Sequence, residues 1–208
     1  MKDVIENRYG SERSVETDFA KAMLWKYAKS IGDPYPRFQK ILDVGGVPTH
    51  HLSYGEMMLT VEDVKARYEI ADFRGGKYQG DFVTMDIPEK FDIVMFISSL
   101  EHFPQCTEGD LKFREGEDRK GFLKALEILE VGGKILLTVP FGKHHWQEYH
   151  QNYDMAGIRA LTEGSHLLES FTYRLVDGQW IAAAPSSMED IRYTDRAYGV
   201  GCFVLEKV

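Results

Sequence analysis

The stretch FDIVMFISSLEHF, residues 91–103, decides the fold class of this chain. Its first seven residues are almost all apolar, which is typical of a parallel strand that is covered on both faces. A helical pattern follows at residues 118–130, and a second apolar run, KILLTV at residues 134–139, ends at Pro140. Strands that alternate with helices predict an α/β fold with a mainly parallel sheet.

Shorter runs on either side extend this sheet. KILDVGG (40–46) predicts a buried strand that enters a tight turn, and MMLTV (57–61) and DFVTMDI (81–87) predict a second and a third strand. Two later runs, FTYRL (171–175) and YGVGCFVLE (198–206), predict an antiparallel pair because no long helix separates them and Asp177-Gly178 is a turn signal. We therefore expect a Rossmann-like, doubly wound sheet with an antiparallel closing strand.

The N-terminal part of the chain is distinct from this repeating pattern. Its first residues are polar, and apolar side chains then recur at helical spacing from Ser14 to Ile31, where Gly32 ends the pattern. We expect an arm and a helix over residues 1–37, which either pack on the fold or cover it as a lid. Residues 38–208 are expected to form one domain.

Composition and charge narrow the function classes. The 208 residues carry 25 basic and 33 acidic side chains, a net charge of −8, which argues against a nucleic-acid partner because phosphate neutralisation needs basic side chains. The two cysteines, Cys106 and Cys202, have the spacing of neither a metal site nor a disulfide framework, and no apolar run is long enough to cross a membrane. We expect a cytoplasmic protein with a small-molecule partner and no membrane partner.

Candidate binding residues follow the predicted strands, because ligands of open α/β sheets bind at the carboxyl ends of the strands. Glycines after the first strand let the backbone approach a ligand, and an acid about 20 residues further on can accept hydrogen bonds from ribose hydroxyls. A later acid and the backbone N–H that follows it can serve an adenine ring. The candidates in chain order are Asp43, Gly45, Gly46, Glu62, Asp63, Asp81 and Phe82.

A nicotinamide-dependent oxidoreductase shares this layout and is an alternative. Its fingerprint, G-x-G-x-x-G, places a pyrophosphate on a helix N-terminus. The turn after the first predicted strand reads GGVPTH (45–50), which lacks the second and third glycines of that fingerprint. The sequence therefore argues against a pyrophosphate site.

In combination, these stretches resemble the class I S-adenosylmethionine-dependent methyltransferases. The matching stretches are ILDVGG (41–46), the acidic pair at 62–63, GDF (80–82), FDIVMFISSLEHF (91–103) and LEVGGKILLTVPFG (129–142). The chain looks most like bacterial members from surface-polysaccharide and natural-product gene clusters, and the resemblance covers residues 38–208.

The resemblance implies S-adenosylmethionine as the cofactor and gives the candidate residues their roles. It implies that the methionine end faces Asp43, Gly45 and Gly46, and that the ribose is held by Glu62 or Asp63. The adenine would be bound by Asp81 and Phe82, and the turn after the fourth strand would line the cofactor with Ile97 and Ser98. The chain departs from the family where Val47 and Thr49 stand in place of later glycines. That departure keeps a second interpretation open, a catalytically inactive binding protein with the same fold.

Two histidines are the candidate catalytic residues. Methyl transfer to a hydroxyl needs a base within hydrogen-bond reach, and histidine titrates near neutral pH. His102 follows the fourth predicted strand, and His145 lies in the polar and aromatic loop PFGKHHWQEYH (140–150), which suits recognition of a polar acceptor such as a sugar. We expect O-methylation of a sugar or another small polar metabolite, and no metal, because these histidines lack a compact ligand spacing.

Overall fold

The computed structural model describes residues 11–28, 39–46, 67–104, 114–146, 151–192 and 197–208. The strands in this part of the chain are β1 (Lys40–Val44), β2 (Arg67–Asp72), β3 (Tyr78–Gln79), β4 (Phe91–Ile97), β5 (Leu129–Pro140), β6 (His145–Trp146), β7 (Gln151–Asn152), β8 (Ser165–Val176), β9 (Gln179–Ala182) and β10 (Gly199–Lys207). Its helices are α1 (Glu12–Ala28), α2 (Glu117–Ile128) and α3 (Met155–Leu161), with 3-10 turns at Leu100–His102 and Pro185–Met188.

Eight of these strands form one sheet in the order β3-β2-β1-β4-β5-β10-β8-β9, and β6 and β7 form a separate hairpin. The strands from β3 to β5 pair in parallel, whereas β10 is antiparallel to β5 and β8, and β9 is antiparallel to β8. The chain moves from β1 to β2 on one side and reaches β4 on the other. The strand order therefore reverses at β1, and such a switch point leaves a crevice at the carboxyl ends of the strands.

Side chains alternate between the two faces of the sheet, and helices cover both faces. On one face, Phe19 and Leu24 of α1 join a cluster that contains Ile93 and Met95 of β4. On the other face, Phe122 of α2 joins a cluster with further buried residues of α2, α3 and β4. Burial on both faces explains why β4 is almost continuously apolar. Within the described residues, no helix is long and apolar enough to span a bilayer.

The structure confirms most of the predicted elements. The strand at 91–97 and the helix at 118–130 are present as β4 and α2, and β5 contains the predicted run 134–139 but already begins at Leu129. The two closing runs lie in β8 and β10, which pair antiparallel, and Asp177 and Gly178 both adopt positive φ in the turn between β8 and β9. The expected Rossmann-like sheet with an antiparallel closing strand is thereby confirmed.

One predicted strand is wrong, and another lies outside the described residues. Residues 81–87 form a turn, because the Asp81 side chain accepts a hydrogen bond from the Val83 N–H (3.0 Å) and the Asp81 carbonyl accepts from the Met85 N–H (2.8 Å). These local bonds replace those of a strand. The predicted strand at 57–61 lies outside the described residues, and β2, which the sequence analysis did not predict, pairs with β1.

Candidate functional site

A cavity of about 450 Å³ lies at the carboxyl ends of β1, β2 and β4, where the strand order reverses. This volume is within the usual range for sites that hold a small molecule. The described residues that line the cavity are 13, 44–45, 71–74, 80–83, 97–99, 102–103 and 117. The fold thus brings the tips of three strands together with one residue of α1, Arg13.

The turn after β1 requires a glycine at position 45. Gly45 has φ +85°, and a Cβ atom built on it would lie 2.6 Å from the Cβ of Ser99. The Gly45 N–H donates to the carbonyl of Ala71 on β2 (2.8 Å), and the Ser99 hydroxyl donates to the carbonyl of Val44 (2.6 Å). Both the left-handed backbone and the close approach exclude a side chain here, so that the tips of β1, β2 and β4 meet closely.

Asp43 and Gly46 support this turn from behind and are not among the residues that line the cavity. The Asp43 carboxylate lies over Gly46, where a Cβ would come within 2.2 Å of Asp43 Oδ2, and it accepts a hydrogen bond from the Tyr68 hydroxyl. Burial raises the pKa of Asp43 from 3.8 to about 6, against the opposing effects of the Tyr68 hydrogen bond and of Arg13. The structure therefore places Asp43 beside the predicted site, one residue away from its wall.

An acid that the sequence analysis missed, Asp72, ends β2 and lines the cavity. Its side chain is 10% exposed and accepts a hydrogen bond from the Arg74 N–H (2.7 Å). The predicted acids Glu62 and Asp63 lie outside the described residues. Because β2 and β4 occupy both edges of β1, the acid at the strand end next to β1 is Asp72.

Asp81 and Phe82 form another part of the cavity wall, as the sequence analysis predicted. Phe82 is buried and makes edge-to-face contacts with the rings of Phe96 (5.8 Å between centroids) and Phe103 (6.0 Å). Asp81 Oδ2 lies 3.9 Å from Arg114 Nη2. Among the described residues no acceptor takes the Phe82 backbone N–H. The turn at 81–85 thus adds a residue with a carboxylate and one with a main-chain donor to those that line the cavity.

Ile97 and Ser98, which were also predicted, line the cavity at the end of β4 together with Arg13. Arg13 Nη1 donates to the Ile97 carbonyl (3.0 Å) and to Glu16 Oε2 (3.2 Å), and the Arg13 side chain is 33% exposed. The sequence analysis missed Arg13, because nothing in the local pattern of α1 distinguishes it from a surface residue. It brings a guanidinium group to the same cavity as the carboxylates.

The two candidate catalytic histidines are placed differently. His102 follows β4, lines the cavity and has a side chain that is 41% exposed, with Nε2 3.8 Å from Glu101 Oε1. His145 lies on β6, pairs across the hairpin with Asn152 and has Nδ1 3.0 Å from the Lys143 carbonyl. His145 is not among the residues that line the cavity. The structure therefore brings only His102 to the candidate site. Among the described residues, no group of three or more side chains is arranged to hold a metal ion.

No protein-family model matches the sequence, and a search of curated proteins found no match. Comparison with solved structures gives clear matches. The 1,6-didemethyltoxoflavin-N1-methyltransferase of Burkholderia thailandensis, with bound 1,6-didemethyltoxoflavin and S-adenosylhomocysteine, matches all of this chain and 86% of its own at a TM-score of 0.57 and 11% identity. The N-methyltransferase NodS of Bradyrhizobium japonicum WM9, in complex with S-adenosyl-L-homocysteine, matches 94% of this chain and 87% of its own at a TM-score of 0.52 and 10% identity. The chain has the class I methyltransferase fold.

At sequence identities this low, the structural matches establish the architecture of the chain but not its reaction, which must be argued from the site. The 4+2 cyclase SpnF also matches, over 91% of this chain and 80% of its own, at a TM-score of 0.52 and 12% identity. The resemblance that the sequence stretches indicated is thus confirmed for the fold. The chemistry follows from the side chains around the cavity.

Proposed function

We propose that this chain binds S-adenosylmethionine in the cavity at the ends of β1, β2 and β4 and transfers its methyl group to a small polar molecule. The observation that carries the proposal is the set of groups that line one cavity: the Gly45 turn, the carboxylates of Asp72, Asp81 and Glu117, and the guanidinium groups of Arg13 and Arg74. A nucleoside joined to an amino acid has hydroxyls, amines and a carboxylate, and these groups need such partners. The turn GGVPTH lacks the glycines of a pyrophosphate site, so a nicotinamide dinucleotide fits this set less well.

The proposed assignment runs from one end of the cavity to the other. Asp81 and the Phe82 N–H would hold the adenine, and Asp72 would accept hydrogen bonds from the ribose hydroxyls in place of Glu62 or Asp63. The backbone of Gly45, Ile97 and Ser98 would face the methionine part, with Asp43 and Gly46 supporting the turn. Arg13 and Arg74 both line the cavity; Arg13 is the one that contacts the end of β4, and its guanidinium suits the carboxylate of the methionine part.

When bound, S-adenosylmethionine would supply an electrophilic methyl group for in-line attack by the acceptor, with the C–S bond breaking and S-adenosylhomocysteine leaving. The residues of this chain would align the acceptor with the methyl group, because much of the rate enhancement can come from holding the reacting atoms about 3–3.5 Å apart. The buried side chains of Phe82, Val44 and Ala71 would exclude water from the cavity. His102 would take the proton from an acceptor hydroxyl at the cavity wall, and its Nε2 lies 3.8 Å from Glu101 Oε1.

We further propose a sugar or another polyhydroxylated metabolite as the acceptor, in a surface-polysaccharide or natural-product context. The support is the polar and aromatic segment 140–150 that follows β5, whose carboxyl end lies at the same edge of the sheet as that of β4. Trp146 in this segment is 38% exposed and can pack against a sugar ring. His145, which was predicted from the sequence as catalytic, we propose instead as a residue of acceptor recognition in this segment, and we place the activity in the cytoplasm.

Titration calorimetry with S-adenosylmethionine and with S-adenosylhomocysteine tests the proposal. We expect both to bind with dissociation constants between about 1 µM and 1 mM, the usual range for enzyme substrates. Asp81→Ala should weaken this binding by about 1–3 kcal/mol, because the adenine amine loses its acceptor. NADH should produce no heat and no change in fluorescence. Absence of binding by both sulfur ligands at millimolar concentration would refute the proposal.

A second candidate function is binding without methyl transfer, or use of the fold for another reaction. The structural match to the cyclase SpnF favours keeping this candidate, because it shows that the fold is not confined to methyltransferases. Incubation with methyl-labelled S-adenosylmethionine and a panel of sugars, phenols and amines separates the two. Transfer of label to any acceptor supports methylation, whereas tight binding with no transfer across the panel supports the second candidate.

A further inference from the structure

We infer that Glu16 of α1 is a positioning residue, whose ionised carboxylate holds the backbone at Ile97 and Ser98 in the shape that lines the cavity. The inference rests on the proposed function for the identity of the ligand, and on the geometry alone for the role of Glu16. Glu16 itself does not line the cavity and has a fully buried side chain. It acts through two neighbours, Thr138 and Arg13, each of which donates to one oxygen of its carboxylate.

The segment that needs holding is the backbone at the end of β4. Ser98 has φ +49°, a left-handed conformation that is unfavourable for a residue with a Cβ and persists only where the surroundings fix it. The Ser98 N–H donates to both the carbonyl (3.2 Å) and the hydroxyl oxygen (3.0 Å) of Thr138 on β5. Ser98 also lines the cavity, so its conformation shapes the site.

Glu16 ties both sides of this segment to α1. On one side, the Thr138 hydroxyl donates to Glu16 Oε1 (2.9 Å) and accepts from the Ser98 N–H. On the other side, Arg13 Nη1 donates to Glu16 Oε2 (3.2 Å) and to the Ile97 carbonyl (3.0 Å). The two oxygens of one carboxylate therefore fix the carbonyl of Ile97 and the N–H of Ser98, which belong to the same peptide group. A neutral side chain has no charge with which to hold the guanidinium.

Burial, more than the charges around it, brings the pKa of Glu16 into the physiological range. Burial raises its pKa from 4.5 to about 7; Arg13 lowers it, and Glu101 and Glu12 raise it. The Thr138 hydrogen bond also lowers it. From β10, the buried Cys202 faces the same carboxylate, and its own pKa is raised by burial and by Glu16. Glu16 thus changes charge around pH 7, whereas Asp43, which also interacts with Arg13, has a pKa of about 6.

Protonation of Glu16 removes one of the two charges of the Arg13–Glu16 pair and turns one acceptor oxygen into a donor. The difference between a charge-assisted and a neutral hydrogen bond corresponds to a change of about fivefold in an equilibrium constant. We therefore expect the wild-type chain to bind S-adenosylhomocysteine about fivefold more weakly at pH 5.5 than at pH 8.5 through this network. The hydrogen bonds that hold α1 against the end of β4 therefore depend on the protonation state of Glu16.

The first test compares Glu16→Gln with the wild type by calorimetry from pH 5.5 to pH 8.5. Gln has the same shape but does not ionise, so the variant should bind about fivefold more weakly than wild type at pH 8.5 and equally at pH 5.5. Asp18→Asn, an exposed acid on the same helix, is the matched control and should follow the wild-type profile. Parallel profiles for wild type and Glu16→Gln would overturn the inference, since other titrating groups contribute equally to both.

The second test needs no ligand and uses Ser98→Gly, which removes the penalty for a left-handed φ. If Glu16 holds Ser98, then Glu16→Gln should change the unfolding equilibrium constant, measured in urea at pH 8, by a different factor in the two backgrounds. We expect the two factors to differ about threefold or more, as for directly coupled residues. Equal factors would refute the positioning role even if the ligand binds. If the wild type bound no ligand but this coupling were present, the proposed function would fail and the role of Glu16 would stand.

Discussion

Replacement of Asp43 by Asn is expected to stabilise the fold at neutral pH and to leave it almost unchanged in acid. Burial raises the pKa of Asp43 from 3.8 to about 6. Between these values the folded chain keeps a proton that the unfolded chain has already released, so raising the pH favours the unfolded chain. The lost stability is about 2–3 kcal/mol between pH 4 and pH 8 and stays constant at higher pH.

Asn has nearly the same shape, can accept the hydrogen bond of Tyr68 and carries no charge to desolvate. Asp43→Asn should therefore gain about 2–3 kcal/mol more in the free energy of unfolding at pH 8 than at pH 4. Urea denaturation at intervals of one pH unit measures this, with the exposed Asp86→Asn as a control that should show no such trend. A gain that is the same at every pH, or no gain at pH 8, would show that burial does not penalise the Asp43 charge.

Three further variants test the cavity. Gly45→Ala should lower the free energy of unfolding by about 1–3 kcal/mol, because φ is +85° and the new methyl group would meet Ser99; unchanged thermal unfolding would contradict this. Asp72→Asn should weaken S-adenosylhomocysteine binding by about 1–3 kcal/mol in calorimetry, and equal binding by Asp72→Asn and the control Asp86→Asn would exclude the ribose assignment. His102→Ala should lower turnover about 10²–10⁴-fold with little change in cofactor affinity, and full activity would leave His102 a structural role.

The sequence predicts the buried strands well and the exposed or irregular segments poorly. β4 and β5 are apolar on both faces, so their composition alone identifies them. β2 reads RYEIAD, with only two of its six residues buried, and its mixture of charged and apolar residues hides a strand that its pairing with β1 creates. The run at 81–87 has a strand-like alternation, but the hydrogen bonds of Asp81 to the next backbone N–H groups make it a turn.

The same distinction holds for the candidate site. Part of the cavity wall has a local signal in the sequence, because its residues lie beside a glycine or at the end of an apolar strand. These residues are Gly45, Asp81, Phe82, Ile97 and Ser98. The remaining parts of the wall depend on contacts that are remote in sequence.

Arg13 illustrates why such contacts escape prediction. It is 84 residues away from the Ile97 carbonyl that it contacts, and nothing within α1 signals that contact. Asp72 was missed for a related reason, since its place at the cavity follows from which strand pairs with β1. For His145 the local signal was misleading. Its segment follows β5, as predicted, but β6 then pairs with β7 in a hairpin, and His145 is not among the residues that line the cavity.

The position of β10 has a consequence for the order in which the molecule is made. β10 lies in the middle of the sheet, between β5 and β8, and α1 packs against β4, β5 and β10. During synthesis the helix that begins at Glu12 therefore has no complete surface to dock on until Gly199 and the residues after it have left the ribosome. Closing so long a loop is slow. The cavity at the strand tips is thus expected to gain its Arg13 wall only after β10 has joined the sheet.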